Sequence, residues 1–132
     1  MKKNPVVHFE IYADDPDKLS EFYSSLFDWT IAAVPGMDYR MVSTVEVDQQ
    51  GMPSQSGGIN GGLIRRPAGF DSRAPVNYVN VESVDAAVRR AQDLGAKLTK
   101  PRAAVPGMGW FAMLLDPQGN HFAVWEQDKN AG

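Results

Sequence analysis

Two histidines, a glutamate and a few aromatic and amide side chains hold most of the chemistry this chain can offer. His8 and Glu10 stand two residues apart in the run Val6-Val7-His8-Phe9-Glu10-Ile11-Tyr12. On an extended strand such neighbours share a face and lie about 6.5 Å apart. An imidazole and a carboxylate so placed can grip one ligand together, or pass a proton as general acid and base. The carboxylate favours the imidazolium, and burial opposes it. The same spacing also makes a plain structural ion pair on a wet strand face, so both readings stand. Tyr12 shares that face. Farther along, Tyr78 and Asn80 share a face with Val76, and His121 and Trp125 share one with Ala123. Aromatic rings supply stacking surface and polar groups supply orientation, the combination a small-molecule site uses.

Several chemistries are excluded. The chain has no cysteine, so disulfides, thiol nucleophiles and thiolate metal sites are absent. No Gly-x-Ser-x-Gly elbow occurs. Gly57-Gly58-Ile59-Asn60-Gly61-Gly62 lacks the lysine and the strand-to-helix setting of a phosphate loop. It reads as close backbone approach in a strand, where missing side chains widen a pocket or admit a partner. A formal net charge of -3 gives no general attraction to phosphate backbones. Arg65-Arg66 with Arg73 is too thin a basic patch for nucleic acid. Glu46, Arg65 and Arg66 read as solvated surface. The start, Met1-Lys2-Lys3-Asn4-Pro5, is basic, but its apolar continuation breaks at His8 and Glu10. Neither a signal peptide nor a membrane span is expected, and a cytoplasmic location is.

The elements that must position these residues come in two copies. Hydrophobic content of 43% and charged content of 22% fit one globular domain over residues 1–132. In the first half, Val7, Phe9 and Ile11 form the apolar side of a strand. Asp15 is the expected N-cap of a helix with Pro16 at its first position. Leu19, Phe22, Tyr23, Leu26 and Phe27 then mark its buried stripe. In the second half, Val76 to Val81 is a strand and Ser83 an N-cap. Val84, Ala87, Val88 and Ala91 mark the helix stripe, and Leu94-Gly95 closes it. After each helix one phrase recurs, Val34-Pro35-Gly36-Met37 and Val105-Pro106-Gly107-Met108. Each leads into a strand, Tyr39 to Val47 or Trp110 to Leu115. Each strand has a hairpin partner, Ile59 to Arg65 or His121 to Glu126. Asp116-Pro117-Gln118-Gly119 is the second hairpin turn. The repeat spans 5–66 and 75–127, with 67–74 a linker by composition. Trp110, Phe111 and Phe122 read as core.

This order resembles the vicinal oxygen chelate superfamily of glyoxalases, bleomycin-resistance proteins and extradiol dioxygenases. The phrases that carry the likeness are Val7-His8-Phe9-Glu10-Ile11 with Phe22-Tyr23 and Leu26-Phe27-Asp28-Trp29 in the first half. In the second half they are Asp85-Ala86-Ala87, Leu94-Gly95-Ala96 and Asp116-Pro117-Gln118-Gly119-Asn120. The likeness covers nearly the whole chain and is greatest to the glyoxalase-like branch. It implies an α+β fold of two tandem βαβββ units forming an open, U-shaped barrel, with helices outside and a pocket between the copies. His8, Glu10, Tyr12, Tyr78, Asn80, His121 and Trp125 would then face the pocket.

The resemblance also implies a metal position with four ligands, one on the first and one on the last strand of each unit. These fall on His8, on Gly62 or Leu63, on Val76 and on Ala123. Only the first can bind a divalent ion. His121 and Glu126 are no substitute, because five residues apart on a strand they face opposite ways. No cofactor is expected; an atypical divalent-metal site would be built on His8, with Glu10 and a displaced His121 as the side chains that could join it. Three functions compete: a pocket that binds a small organic molecule; an enzyme of the lyase or isomerase type using His8 and Glu10, metal-free or with an atypical metal; and an interaction module. A homodimer is expected with any of them.

Overall fold

The computed structural model describes residues 3–132; Met1 and Lys2, part of the basic start, lie outside the described residues. The chain is divided into a first compact unit, His8–Pro75, and a second made of Val76–Gly132 with the stretch up to Val7. In chain order the first repeat supplies β1 (Val6–Ala13), α1 (Pro16–Phe27), β2 (Thr30–Ala33), β3 (Tyr39–Ser43) and β4 (Gly61–Arg65). The second supplies β5 (Val76–Asn80), α2 (Val84–Asp93), β6 (Lys97–Val105), β7 (Gly109–Leu115) and β8 (His121–Gln127).

Both repeats use one topology. The strand order is β2-β3-β4-β1 in the first and β6-β7-β8-β5 in the second. The first strand of each pairs in parallel with the last, and the remaining pairs are antiparallel. The recurring Val-Pro-Gly-Met phrase is one turn made twice. Met37 N–H donates to Val34 C=O at 3.2 Å and Met108 N–H to Val105 C=O at 2.9 Å. Gly36 and Gly107 sit at φ 77° and 75°, the left-handed position that follows proline in a type II turn.

The helices begin as their caps dictate. Asp15 accepts from Lys18 N–H at 3.2 Å, and Ser83 accepts from Ala86 N–H at 3.1 Å. Glu126 adds a second cap to α2, accepting from Val84 N–H at 2.9 Å. That carboxylate therefore lies on the helix side of β8, away from the face His121 occupies. The second core joins Val84, Ala112, Leu114 and Val124, with Trp110 and Phe122 packed against it. Phe111 lies on the opposite face, its ring 6.3 Å from that of Tyr78.

Four expectations need correction. The α1 stripe does not bury as a whole: Leu19 enters the core, but Phe22, Leu26 and Phe27 are 55%, 57% and 53% exposed. Trp29 takes their place, returned under the helix by Asp28 at φ 58° and stacked on Tyr23 with ring centroids 5.2 Å apart. β3 stops at Ser43 rather than Val47, and β4 starts at Gly61 rather than Ile59. Asn60 causes both: its Oδ1 accepts from the Thr44 and Val45 N–H groups at 2.7 and 3.1 Å, replacing the ladder partner. Glu46 accordingly lies on a loop, exposed. The sequence reading gave no bounds for the strands β2 and β6; β6 carries two register shifts, flanking Lys100. Finally, Arg66 is not solvated surface. Its side chain is 13% exposed, pairs with Asp14 at 2.9 Å, and donates to the Ser72 carbonyl. With the Arg73–Asp14 pair and the Tyr12–Phe70 ring contact at 4.5 Å, it fastens residues 67–74 to the end of β1 within the first unit.

Candidate functional site

The strands β2-β3-β4-β1 of the first repeat present two unlike faces. Phe9 and Ile11 point to the helix side and pack with Leu19, Trp29 and Ile31 around Ala13, Val42 and Leu63. By alternation, His8, Glu10 and Tyr12 lie on the other face. The parallel register sets Glu10 beside Gly62 and Tyr12 beside Ile64, and the antiparallel register sets Tyr39 beside Ile64. Four polar side chains meet there. His8 Nε2 lies 3.4 Å from Glu10 Oε2 and 3.1 Å from Tyr39 Oη. Tyr12 Oη donates to Glu10 Oε1 at 3.4 Å. The His8 side chain is 32% exposed and that of Glu10 12%, so water screens these contacts only in part. Burial, and then the Glu10 carboxylate, push the Tyr39 phenol above its ordinary range, so it stays protonated.

Sequence reading missed Tyr39, although its hydroxyl lies 3.1 Å from His8 Nε2. It opens β3 after the Val-Pro-Gly-Met turn, and its side chain reaches across Gly62. A Cβ built on Gly62 would overlap the Tyr39 hydroxyl and ring, and one on Gly61 would overlap Phe9. The glycines are therefore close-approach positions, as their spacing suggested. The space over them is filled by aromatic rings of the same unit rather than left to widen a pocket. An open groove of about 440 Å³ runs beside Tyr39, bounded by Met37, Ile64, Pro67 and Ala68 among others. Of the cluster, only Tyr39 borders it.

The remaining candidates belong to the second unit. Tyr78 and Asn80 pair in parallel register with Ala123 and Trp125, so one sheet face carries all of them together with His121. Tyr78 is buried. Asn80 uses its backbone, donating to Pro5 C=O at 2.9 Å and accepting from the Asn4 side chain at 3.0 Å. The Trp125 ring covers Gly109 much as Tyr39 covers Gly62. His121 opens β8 opposite Leu115 and is half-buried. Lys100 Nζ lies 5.8 Å from the centre of the neighbouring Phe111 ring.

Of the four ligand positions implied by resemblance, only His8 carries a donor side chain. Gly62 is covered by Tyr39, while Val76 and Ala123 are fully buried apolar residues. Among the described residues no group of three or more His, Asp or Glu is placed to hold a metal ion.

With two βαβββ repeats of one topology established, comparison with known proteins is decisive. A family model described as "Glyoxalase-like domain" matches residues 7–125. The chain belongs to this glyoxalase-like family. It is also similar to proteins named "Putative glyoxylase CFP32" from Mycobacterium bovis and Mycobacterium tuberculosis, 28% identical over 119 residues. The match takes 87% of this chain but 41% of theirs, so this glyoxalase-like chain spans well under half the length of those relatives. Among solved structures, a glyoxalase/bleomycin resistance protein/dioxygenase superfamily member from Vibrio splendidus aligns with TM-score 0.61 and 13% identity, over 95% of this chain and 100% of that one. Methylmalonyl-CoA epimerase from Streptomyces coelicolor aligns with TM-score 0.59 and 16% identity, over 92% and 96%. At such identities the shared property is the α+β glyoxalase-like fold.

Proposed function

We propose that this glyoxalase-like domain binds a small organic molecule on the sheet face that carries His8, and does so without a metal. The observation that carries the reading is the double contact of His8 Nε2 with Glu10 at 3.4 Å and Tyr39 at 3.1 Å on a half-buried face. Imidazole, carboxylate and phenol together offer both donors and acceptors, which suits a ligand oxygen or nitrogen. The donor set does not suit a divalent metal. Glycine, valine and alanine stand at three of the four implied positions, and one imidazole holds such an ion weakly. Tyr12 belongs to the same site, and Tyr78, Asn80, His121 and Trp125 are assigned to the ligand-facing side of the second unit. The protein works in the cytoplasm on this reading. Among the described residues no helix is long and apolar enough to cross a membrane.

A second reading makes the site a metal-free lyase or isomerase. It draws on Glu10, a carboxylate shielded from water and bonded to a group that can relay its proton.

Saturation-transfer NMR with a library of small carbonyl and carboxylate compounds tests the binding reading. Compounds that bind wild type should lose at least about tenfold in affinity with His8→Ala, the worth of one good hydrogen bond at about 1.4 kcal/mol. Equal affinities in a folded His8→Ala protein overturn the site. Elemental analysis of protein purified without chelator tests the other half. Stoichiometric Zn, Ni, Mn or Fe overturns the metal-free assignment.

A further inference from the structure

The cluster contains a choice between two residues for one volume. Gly62 lies beside Glu10 in the parallel register of β1 and β4. A Cβ there would overlap the Tyr39 hydroxyl, which itself sits 3.1 Å from His8 Nε2. A side chain at position 62 would thus start beside Glu10 and against the Tyr39 hydroxyl, on the face His8 and Glu10 share, from which a carboxylate could join both on one cation at about 2.0–2.2 Å per bond. The Tyr39 ring fills that volume first. A neutral phenol on the imidazole nitrogen is a hydrogen-bonding partner and a poor metal ligand.

We propose that Tyr39 is the specificity-determining residue of this site: its phenol occupies the volume that a third metal ligand needs, barring a divalent cation from His8 and Glu10 in favour of a hydrogen-bonding organic group. The inference rests on the binding reading above and deepens it, because it states why the ligand is organic. It also makes Gly62 obligatory while Tyr39 is present. Neither the Asp38 nor the Arg65 side chain substitutes for the phenol, since the two pair with each other at 2.9 Å on the exposed rim.

The test uses zinc chloride alone, titrated calorimetrically into wild type, Tyr39→Ala and the double variant Tyr39→Ala/Gly62→Glu. Wild type should show no saturable one-to-one uptake below about 100 µM. The double variant should take one Zn²⁺ per chain at least about tenfold more tightly than Tyr39→Ala, and lose it when His8→Ala is added. One-to-one, His8-dependent binding by wild type at low micromolar zinc overturns the proposal. So does a folded double variant that binds no better than wild type. Should that variant fail to fold, a stability cycle decides. Gly62→Ala alone should destabilise the protein, and Tyr39→Ala should relieve part of that loss, so that the double variant is more stable than the two losses predict. Additive losses refute mutual exclusion. Because no organic ligand enters these measurements, a double variant that gains no zinc site overturns the proposal and leaves organic-ligand binding standing, whereas equal ligand affinities in His8→Ala overturn the binding reading alone.

Discussion

Replacing Asn60 by alanine probes the joint that presents Gly61 and Gly62 to the site. Asn60 Oδ1 accepts from Thr44 N–H at 2.7 Å, from Val45 N–H at 3.1 Å and from the Thr44 hydroxyl at 3.3 Å. Alanine leaves two backbone donors without that acceptor. Each costs about 1–3 kcal/mol when fully buried. Thr44 and Val45 are half-buried, so water recovers part of this and about 2–3 kcal/mol is expected in all. For a chain of this size that is a fall of roughly 6–15 °C in Tm. Asn60→Asp is the control. It keeps the acceptor and gives up only the long bond from Nδ2 to Val45 C=O at 3.5 Å, so it should cost less than about 1 kcal/mol. Urea unfolding followed by tryptophan fluorescence measures both, with Trp29 reporting from the same unit. If alanine and aspartate cost the same, or alanine costs less than about 0.5 kcal/mol, the account of how β3 ends is wrong.

Two further outcomes follow from single carboxylates. The backbone and side-chain amides of Asn120, with the Gln118 and Gly119 N–H groups, hold the Asp116 carboxyl below its ordinary value of 3.8. An acid depressed on folding contributes stability that is present above its unfolded value and lost as pH falls through its folded value. Asp116→Asn should therefore lose less stability than wild type between about pH 4 and pH 2, read as urea midpoints; parallel losses would contradict this. Glu126→Ala removes the acceptor for Val84 N–H and a negative charge at the start of α2. It should cost about 1–2 kcal/mol in thermal or urea unfolding, with Glu126→Gln recovering part, and a neutral Glu126→Ala would show the cap to be idle.

The repeat was legible because local chemistry writes it. Caps at Asp15 and Ser83, the two Val-Pro-Gly-Met turns and the Asp116 turn are short-range signals, and all stand where the sequence placed them. The alternation of β1 likewise separates Phe9 and Ile11 from His8 and Glu10 correctly. What sequence alone does not carry is which side chain answers a distant one. Tyr39 and His8 are 31 positions apart, and only the strand order β3-β4-β1 brings them together across Gly62. The early end of β3 is equally hidden, since a side-chain amide there replaces a backbone partner. Arg66 looked like solvent-facing charge because its partners, Asp14 and Ser72, come from opposite sides of it in the chain. The α1 stripe misled for another reason: periodicity marks the face that could bury, and Trp29 reached that space first.

The ring over Gly62 also constrains the order in which this protein can change. While Tyr39 is in place, any side chain at position 62 meets the phenol, so a mutation there comes at a structural penalty before it can bring a gain. A lineage heading for metal chemistry must first give up the aromatic ring, passing through an intermediate with an empty space beside His8. The reverse journey must discard a side chain from position 62 before a tyrosine can settle. The two positions should therefore change together among descendants of this fold, and a large residue at one should predict a small residue at the other.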